Sequence, residues 1–274
     1  MSRVAELGAS RELLINLTLR ELRGKYKRSA LGWSWSLLNP LALMLIFTMV
    51  FRVFLKAPVP KASPSGLSNY ALFLLCALLP WNFLGNGMGG SMGGLIGNAN
   101  LIKKVYFPRE ILVVANVLSW SVSLAVEMAV LCIALLIAGN FVIPWLLPVL
   151  LLIVLQSLFV VGVGMTLSVT NVYFRDVQHF IGIVLQLWFY ATPIVYPISV
   201  VPTKAHVFGA ELPVLTLYRL NPMVRFVEAY RACLYDLRFP AGADVVYLVV
   251  VTAAVVALGY LVFGRLEPRL AEEL

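Results

Sequence analysis

Six stretches of this 274-residue chain are long and apolar enough to have no stable place in water. They are Trp33–Phe54, Asn69–Gly87, Ile111–Ala138, Trp145–Val169, Phe180–Val200 and Val245–Phe263. A helix needs about 20 apolar residues to cross the hydrocarbon core of a bilayer. Composition agrees, with 61% hydrophobic and only 12% charged residues and a mean hydropathy of +0.91. The predicted class is therefore an all-α integral membrane protein, with residues 1–274 forming one transmembrane domain of six helices.

The net charge of +8 would suggest nucleic acid in a soluble protein. Here no basic stripe alternates with exposed aromatics outside the apolar runs, so no nucleic-acid partner is expected. The basic residues read instead as a topology signal. With the N-terminus in the cytoplasm, thirteen Lys and Arg fall on the inner side and eight on the outer, five of these in one long loop. Both termini are expected to be cytoplasmic. Cys76, Cys132 and Cys233 have no ligand spacing, and His179 and His206 stand apart, so no metal is predicted.

Residues 9–29 place Leu13, Leu14, Leu17 and Leu22 at helical spacing among Arg20, Arg23, Lys25, Lys27 and Arg28. That is the pattern of an amphipathic helix lying in the membrane interface, with cations able to meet phosphate headgroups. Trp33 and Trp35 then open the first span at headgroup level. The second span dissolves into the Gly-rich stretch Gly85–Gly97, whose small residues favour close helix packing between apolar flanks. Pro193 and Pro197 break the fifth span. Pro202–Asp244 is too long for a turn, and Asn221–Tyr235 within it reads as a short helix on the far membrane surface. The segment after Trp188 is a candidate to dip back into the membrane, which requires that protein bury it.

Four blocks resemble the ABC-2-type export permeases, and more narrowly their O-antigen, teichoic-acid and capsule exporters. They are Glu12–Pro40 (ELLINLTLRELRGKYKRSALGWSWSLLNP), Asn100–Glu110 (NLIKKVYFPRE), Asn171–His179 (NVYFRDVQH) continuing to Tyr190–Pro197 (YATPIVYP), and Leu220–Tyr230 (LNPMVRFVEAY). They occur in the order and spacing of that family. The resemblance implies a homodimer of six-helix subunits in a bacterial inner membrane, two copies of a separate nucleotide-binding subunit, and a lipid-linked polysaccharide as substrate. It also implies a coupling helix between spans two and three, and two short re-entrant helices between spans five and six.

Candidate site residues follow. A phosphate-binding P-loop needs a Lys after its glycines, and Gly85–Gly97 contains none. ATP and Mg are therefore expected only in the partner subunit, with no cofactor in this chain. Asn100, Lys103, Lys104, Tyr106, Phe107 and Arg109 are the expected contacts to that subunit, with Arg175 and Asp176 on the same cytoplasmic surface. Read from composition alone, the first group is a basic loop.

Glu127 lies mid-span, where a carboxylate needs a partner, water or a path. It reads either as a channel-lining acid or as a Glu bonded to Ser119, Ser121, Ser123 or a neighbouring helix. Phe47, Phe51 and Phe54 share one face of the first span, and Trp188, Tyr190 and Tyr196 cluster on the fifth. Such rings suit a sliding glycan, although aromatic stripes in membrane helices also pack or face lipid. Two other classes remain open at this stage: a small-molecule efflux permease, and a membrane-embedded enzyme or assembly factor without transport. No nucleophile, base and orienter fall together, so hydrolysis is not predicted.

Overall fold

The computed structural model describes residues 11–25, 32, 34–56, 61–105, 107–207 and 210–273. The chain opens with α1 (Arg11–Lys25) and α2 (Ser34–Thr48), whose last turn widens into a π-helix over Met49–Phe54. Then follow α3 (Tyr70–Gly97), the short α4 (Ala99–Lys104), α5 (Glu110–Ile137), α6 (Leu146–Tyr173) and α7 (Val177–Tyr190). After a non-helical stretch and a small hairpin (Ala205–Val207 antiparallel to Ala210–Leu212) come α8 (Val214–Tyr218) and α9 (Pro222–Arg231). The latter runs into a second π-helix at Ala232–Asp236. α10 (Gly242–Leu266) and α11 (Leu270–Glu273) end the chain.

Among the described residues, five helices are long and apolar enough to cross a membrane: Leu37–Phe54, Tyr70–Gly97, Glu110–Ile137, Ile143–Tyr173 and Gly242–Arg269. The stretch read as a fifth span, Phe180–Val200, is helical only to Tyr190. Pro193 is the reason, since the residue before a proline is pushed out of helical geometry and the ring removes a backbone donor. The 14-residue α7 is about 21 Å long, short of the roughly 30 Å hydrocarbon core.

The Gly-rich stretch does not dissolve the second span. α3 continues as helix through to Gly97 and is the most buried of the long helices. Its glycines let neighbours come close. A Cβ on Gly87 would strike Val160 on α6, and one on Gly90 would strike the Asn116 amide on α5. Asn69 starts the helix, its side chain accepting from the amides of Ala71 and Leu72.

α3, α5, α6 and α10 form the packed bundle, tied by polar bridges of the kind that lock helices in an apolar medium. Gln156 Nε2 donates to the Pro80 carbonyl at 2.9 Å, Asn171 Nδ2 to the Met92 carbonyl at 3.1 Å, and Ser121 and Ser157 meet at 2.7 Å. α5 ends where Gly139, at φ +86°, turns the chain back. The amides of Gly139 and Asn140 return to the carbonyls of Leu136 and Leu135, satisfying the helix end. The α4 end of the bundle gathers α1, α4, the last turns of α3, α6 and α10, and α11. Tyr173 Oη donates to the Leu266 carbonyl at 2.9 Å, and Arg109 to the Glu267 carbonyl at 2.6 Å.

The Asn221–Tyr235 helix does not lie on a surface. From Met223 to Tyr235 only Arg225 and Glu228 escape full burial, and the helix packs against α3, α6 and α10. Helical spacing of apolar residues cannot distinguish a surface helix from one surrounded by protein.

α6 and α10 approach closely at Gly162 and Gly259. A Cβ on Gly259 would collide with the Gly162 carbonyl, and one on Gly162 would sit 2.7 Å from the backbone nitrogen of Val256. Gly259→Leu should destabilise the purified protein by about 1–3 kcal/mol through overpacking. Gly93→Ala, with nothing within 4 Å of its Cβ position, should leave it unchanged. Thermal unfolding in detergent reads both.

Candidate functional site

Residues 191–195 leave helical geometry inside an apolar molecule, so their carbonyls need partners. Each one has a partner. Asn221 Nδ2 donates to the Ala191 carbonyl at 3.0 Å, and the Ile194 amide to that of Thr192 at 2.7 Å. Arg231 donates to Pro193 at 2.5 Å and to Ile194 at 2.7 Å, and Tyr70 Oη to Val195 at 2.8 Å. The Arg231 guanidinium, itself buried, rests 3.6 Å above the Phe73 ring, with Glu228 at 3.3 Å as its counter-charge. Asn221 also caps α9 through the Met223 amide and accepts from Trp188 Nε1 at 2.8 Å. Asn221 and Arg231 therefore lock the end of α7 to α9. Neither was selected from the sequence, because their partners are backbone carbonyls 30 or more residues away.

The aromatic residues meet on one flank of the bundle. Phe47 stacks on Phe189 at 5.9 Å, and Phe51 on Tyr70 at 6.1 Å. Trp81 stands edge-on to Phe189 at 5.7 Å and to Trp188 at 5.9 Å, and Phe189 meets Tyr190 at 5.2 Å. Phe47, Phe51 and Trp188 thus belong to one wall across α2, α3 and α7, completed by Tyr70, Trp81 and Phe189. Tyr190 forms its exposed rim. Phe54 points away and is exposed. Tyr196 is held by hydrogen bonds to the Tyr190 carbonyl and to Tyr218 Oη, both 2.7 Å. α2 and α7 contribute the wall yet leave Leu45, Met49, Val53, Phe180, Ile183 and Leu187 uncovered by this chain.

At the opposite end, the expected basic loop contains the helix α4. Asn100, Lys103 and Lys104 are exposed on it. Phe107 is not: its ring is buried in this chain's own core, which removes it as a surface contact. Arg109 is partly buried and engaged with the Glu267 carbonyl. Tyr106 lies outside the described residues, as do Lys27 and Arg28. Arg175 and Asp176 are exposed beside the start of α7 and form no ion pair with each other.

α1 packs along α5 through Leu17 and Leu22, leaving Arg20 and Arg23 on an open groove with Asn16, Leu19 and Gly24. Arg20 donates to Asn98 Oδ1 at 2.7 Å, where α3 gives way to α4. Lys25 is turned inward. Its Nζ lies 3.4 Å above the Trp120 ring and 3.2 Å from Ser123 Oγ, one helical turn before Glu127. Burial pushes its ammonium down to about 7, against the upward pull of Glu127 and Glu21. Glu127 is nearly buried and accepts no hydrogen bond from Ser119, Ser121 or Ser123, whose hydroxyls turn elsewhere. It borders a small cavity of about 70 Å³ with Leu37, Pro40 and Leu41 of α2 and Leu75 and Leu79 of α3. Among the described residues no group of three or more His, Cys, Asp or Glu could hold a metal.

The profile of the ABC-2 type transporter family matches residues 12–235, a segment running from α1 to the end of the α9 π-turn. The chain belongs to that family. It is 31% identical to an O-antigen export system permease protein, RfbA, of Myxococcus xanthus, over 99% of this chain and 98% of that protein. An RfbA permease of Klebsiella pneumoniae shares 28% over 97% and 96% of the two chains. The polysialic acid transport protein KpsM of Escherichia coli shares 23% over 92% of each. Like these relatives, this ABC-2 chain is a multi-pass membrane protein.

Asn221→Ala would strip the Ala191 carbonyl and the Trp188 indole of their side-chain partner. A loss of about 1–3 kcal/mol is expected, read as a lowered midpoint in unfolding followed by tryptophan fluorescence.

Proposed function

We propose that this chain is the permease subunit of an ATP-driven exporter carrying a lipid-linked polysaccharide across a bacterial inner membrane. Similarity along the whole length to permeases named for O-antigen export and polysialic acid transport supports the branch. The observation that carries the mechanism is the aromatic wall behind an otherwise uncovered flank of α2 and α7.

In this reading a second copy covers the flank, and the two walls line a channel at the dimer interface. Stacked rings present flat apolar faces to sugar C–H edges without fixing a single polar geometry, which suits a polymer that must slide. α7 makes the sixth crossing together with residues 191–200 and the α8–α9 pair, which reach the rest of the depth from the far side. The gathering of α1 and α11 at one end of the bundle supports this even number of crossings, with both termini cytoplasmic. α1 is then the interface helix, and Arg20 and Arg23 offer two exposed guanidinium groups to the pyrophosphate of the lipid carrier.

Two copies of a separate nucleotide-binding subunit supply ATP hydrolysis with Mg. α4 is their coupling helix, with Lys103 and Lys104 projecting toward them. ATP-driven motion there displaces α4 and α1, and the first span follows.

Co-expression with an ABC nucleotide-binding subunit from the same source should yield a complex with ATPase activity that the chain alone lacks. Lys103→Glu with Lys104→Glu should weaken co-purification by about tenfold or more, as reversed charges face one another across the contact. Phe47→Ala should leave the complex intact and lower glycan export in complemented cells by up to about tenfold, the scale of one lost aromatic stack. A chain that binds no ATPase overturns the reading in favour of a membrane-embedded enzyme or assembly factor.

A further inference from the structure

Besides the packing of Leu17 and Leu22 on α5, the interface helix α1 is held at two polar points of different character. At Arg20 the contact is short and directional, a 2.7 Å bond to the Asn98 side chain. Asn98 closes α3 and opens α4, and its own Nδ2 donates to the Gly94 carbonyl, so it moves with that junction. At Lys25, the last residue of α1, the contact is electrostatic. The ammonium lies on Trp120 and Ser123, and its charge acts on Glu127 without touching it.

Glu127 stands on α5 one turn beyond the Lys25 contact at Ser123 and also borders the start of α2. Lys25 approaches it from α1, and the cavity beside it is bounded by Leu37, Pro40 and Leu41 at the start of α2. A carboxylate in such apolar surroundings is costly unless a cation offsets it, and Lys25 is the cation whose charge reaches it. Coulomb attraction falls off slowly with distance, and steeply less so in a dry site than a hydrogen bond does with angle. The Lys25–Glu127 attraction therefore survives a small rotation of α1 that would break a directional bond.

We propose that Lys25 and Glu127 are positioning residues of the transport cycle. Their attraction across Ser123 keeps the C-terminal end of α1 on the middle of α5, as the fixed point about which a push at Asn98 swings α1. Without that point, the displacement received through Arg20 slides α1 along α5 and does not reach the start of α2. Lys25 is thereby taken out of the set of cations that meet the lipid pyrophosphate, leaving Arg20 and Arg23 among the described residues. The inference rests on the permease reading for its consequence, not for its geometry.

A charge-reversal cycle in the intact complex in nanodiscs tests it: Lys25→Glu, Glu127→Lys, and both together. Hydrogen exchange of the α1 amides reads the clamp, and glycan export in complemented cells reads its use. Each single reversal should speed exchange and cut export by about tenfold, with the ATPase subunit still bound. The double reversal should recover most of both losses, as coupled residues do. Packing of the Lys25 methylenes alone would give no such recovery.

Lys25→Met and Glu127→Gln, which carry no reversed charge, should fold and show the same direction with smaller effect. A double reversal no better than the worse single, or neutral variants with wild-type exchange and export, would overturn the proposal. If the wild-type chain exports no glycan, the permease reading fails, and the exchange cycle still decides the clamp on its own.

Discussion

An unpartnered backbone carbonyl in an apolar medium costs several kcal/mol, and the far end of this molecule is built around that constraint. Pro193 stops α7 after 14 residues and takes the carbonyls of residues 191–195 out of the helical ladder. Asn221, Arg231 and Tyr70 supply the donors. These donors come from α3 and from the start and end of α9, so the break in one helix dictates where two others sit. Arg231 in turn needs Glu228 and the Phe73 ring. Asn140 at the end of α5 ties the carbonyls of Leu234 and Tyr235 that finish α9. A single interrupted helix thus fixes the order of α3, α5, α7 and α9.

The same arrangement separates stiff parts from parts free to move. α3 is packed on nearly all sides, and the glycine contact of α6 with α10 leaves no slack at its closest point. α2 has almost none of its apolar length buried, and α7 has no buried residue. Motion that changes the shape of a transport path therefore falls to α2 and α7, while the inner helices act as a frame. The two aromatic stacks from α2, Phe47 on Phe189 and Phe51 on Tyr70, are contacts that such motion must break or slide.

What was legible in the sequence follows the range of the interactions. α5, α6 and α10 are continuous apolar runs whose length alone reveals them. The family resemblance led to the expectation of a short helix between spans two and three, where α4 lies; six residues of mixed polarity could not do so alone. The close packing read from Gly85–Gly97 is present at Gly87 and Gly90. Only the end of the span, set at Gly87, was misplaced, because glycine signals flexibility only where water can compete for the backbone. Here the intrahelical bonds have no competitor, and Gly87 and Gly90 serve the approach of Val160 and Asn116. Phe107 was expected as a contact to the partner subunit from its place in the Asn100–Glu110 block of the family resemblance, but the chain turns its ring into the core. The partner of Glu127 was invisible for a simpler reason: Lys25 lies 102 positions earlier, and no local pattern links the two.

Under the proposed function, the route of a polymer follows from this frame. The described cavity beside Glu127 holds only about 70 Å³, too little for a glycan chain. A wider path is available beside α2 and α7, where apolar side chains lack cover and the aromatic wall lies just behind them. Opening there requires no rupture of the Gly162–Gly259 contact or of the Asn221 and Arg231 network. It requires a displacement of α2, whose start stands next to Glu127 and whose end stands next to Tyr70. The element that must move is thus connected at one end to the helix that senses α4, and at the other to the residues that hold the re-entrant segment. Coupling at one face of the bundle and gating at the other are two ends of the same helix.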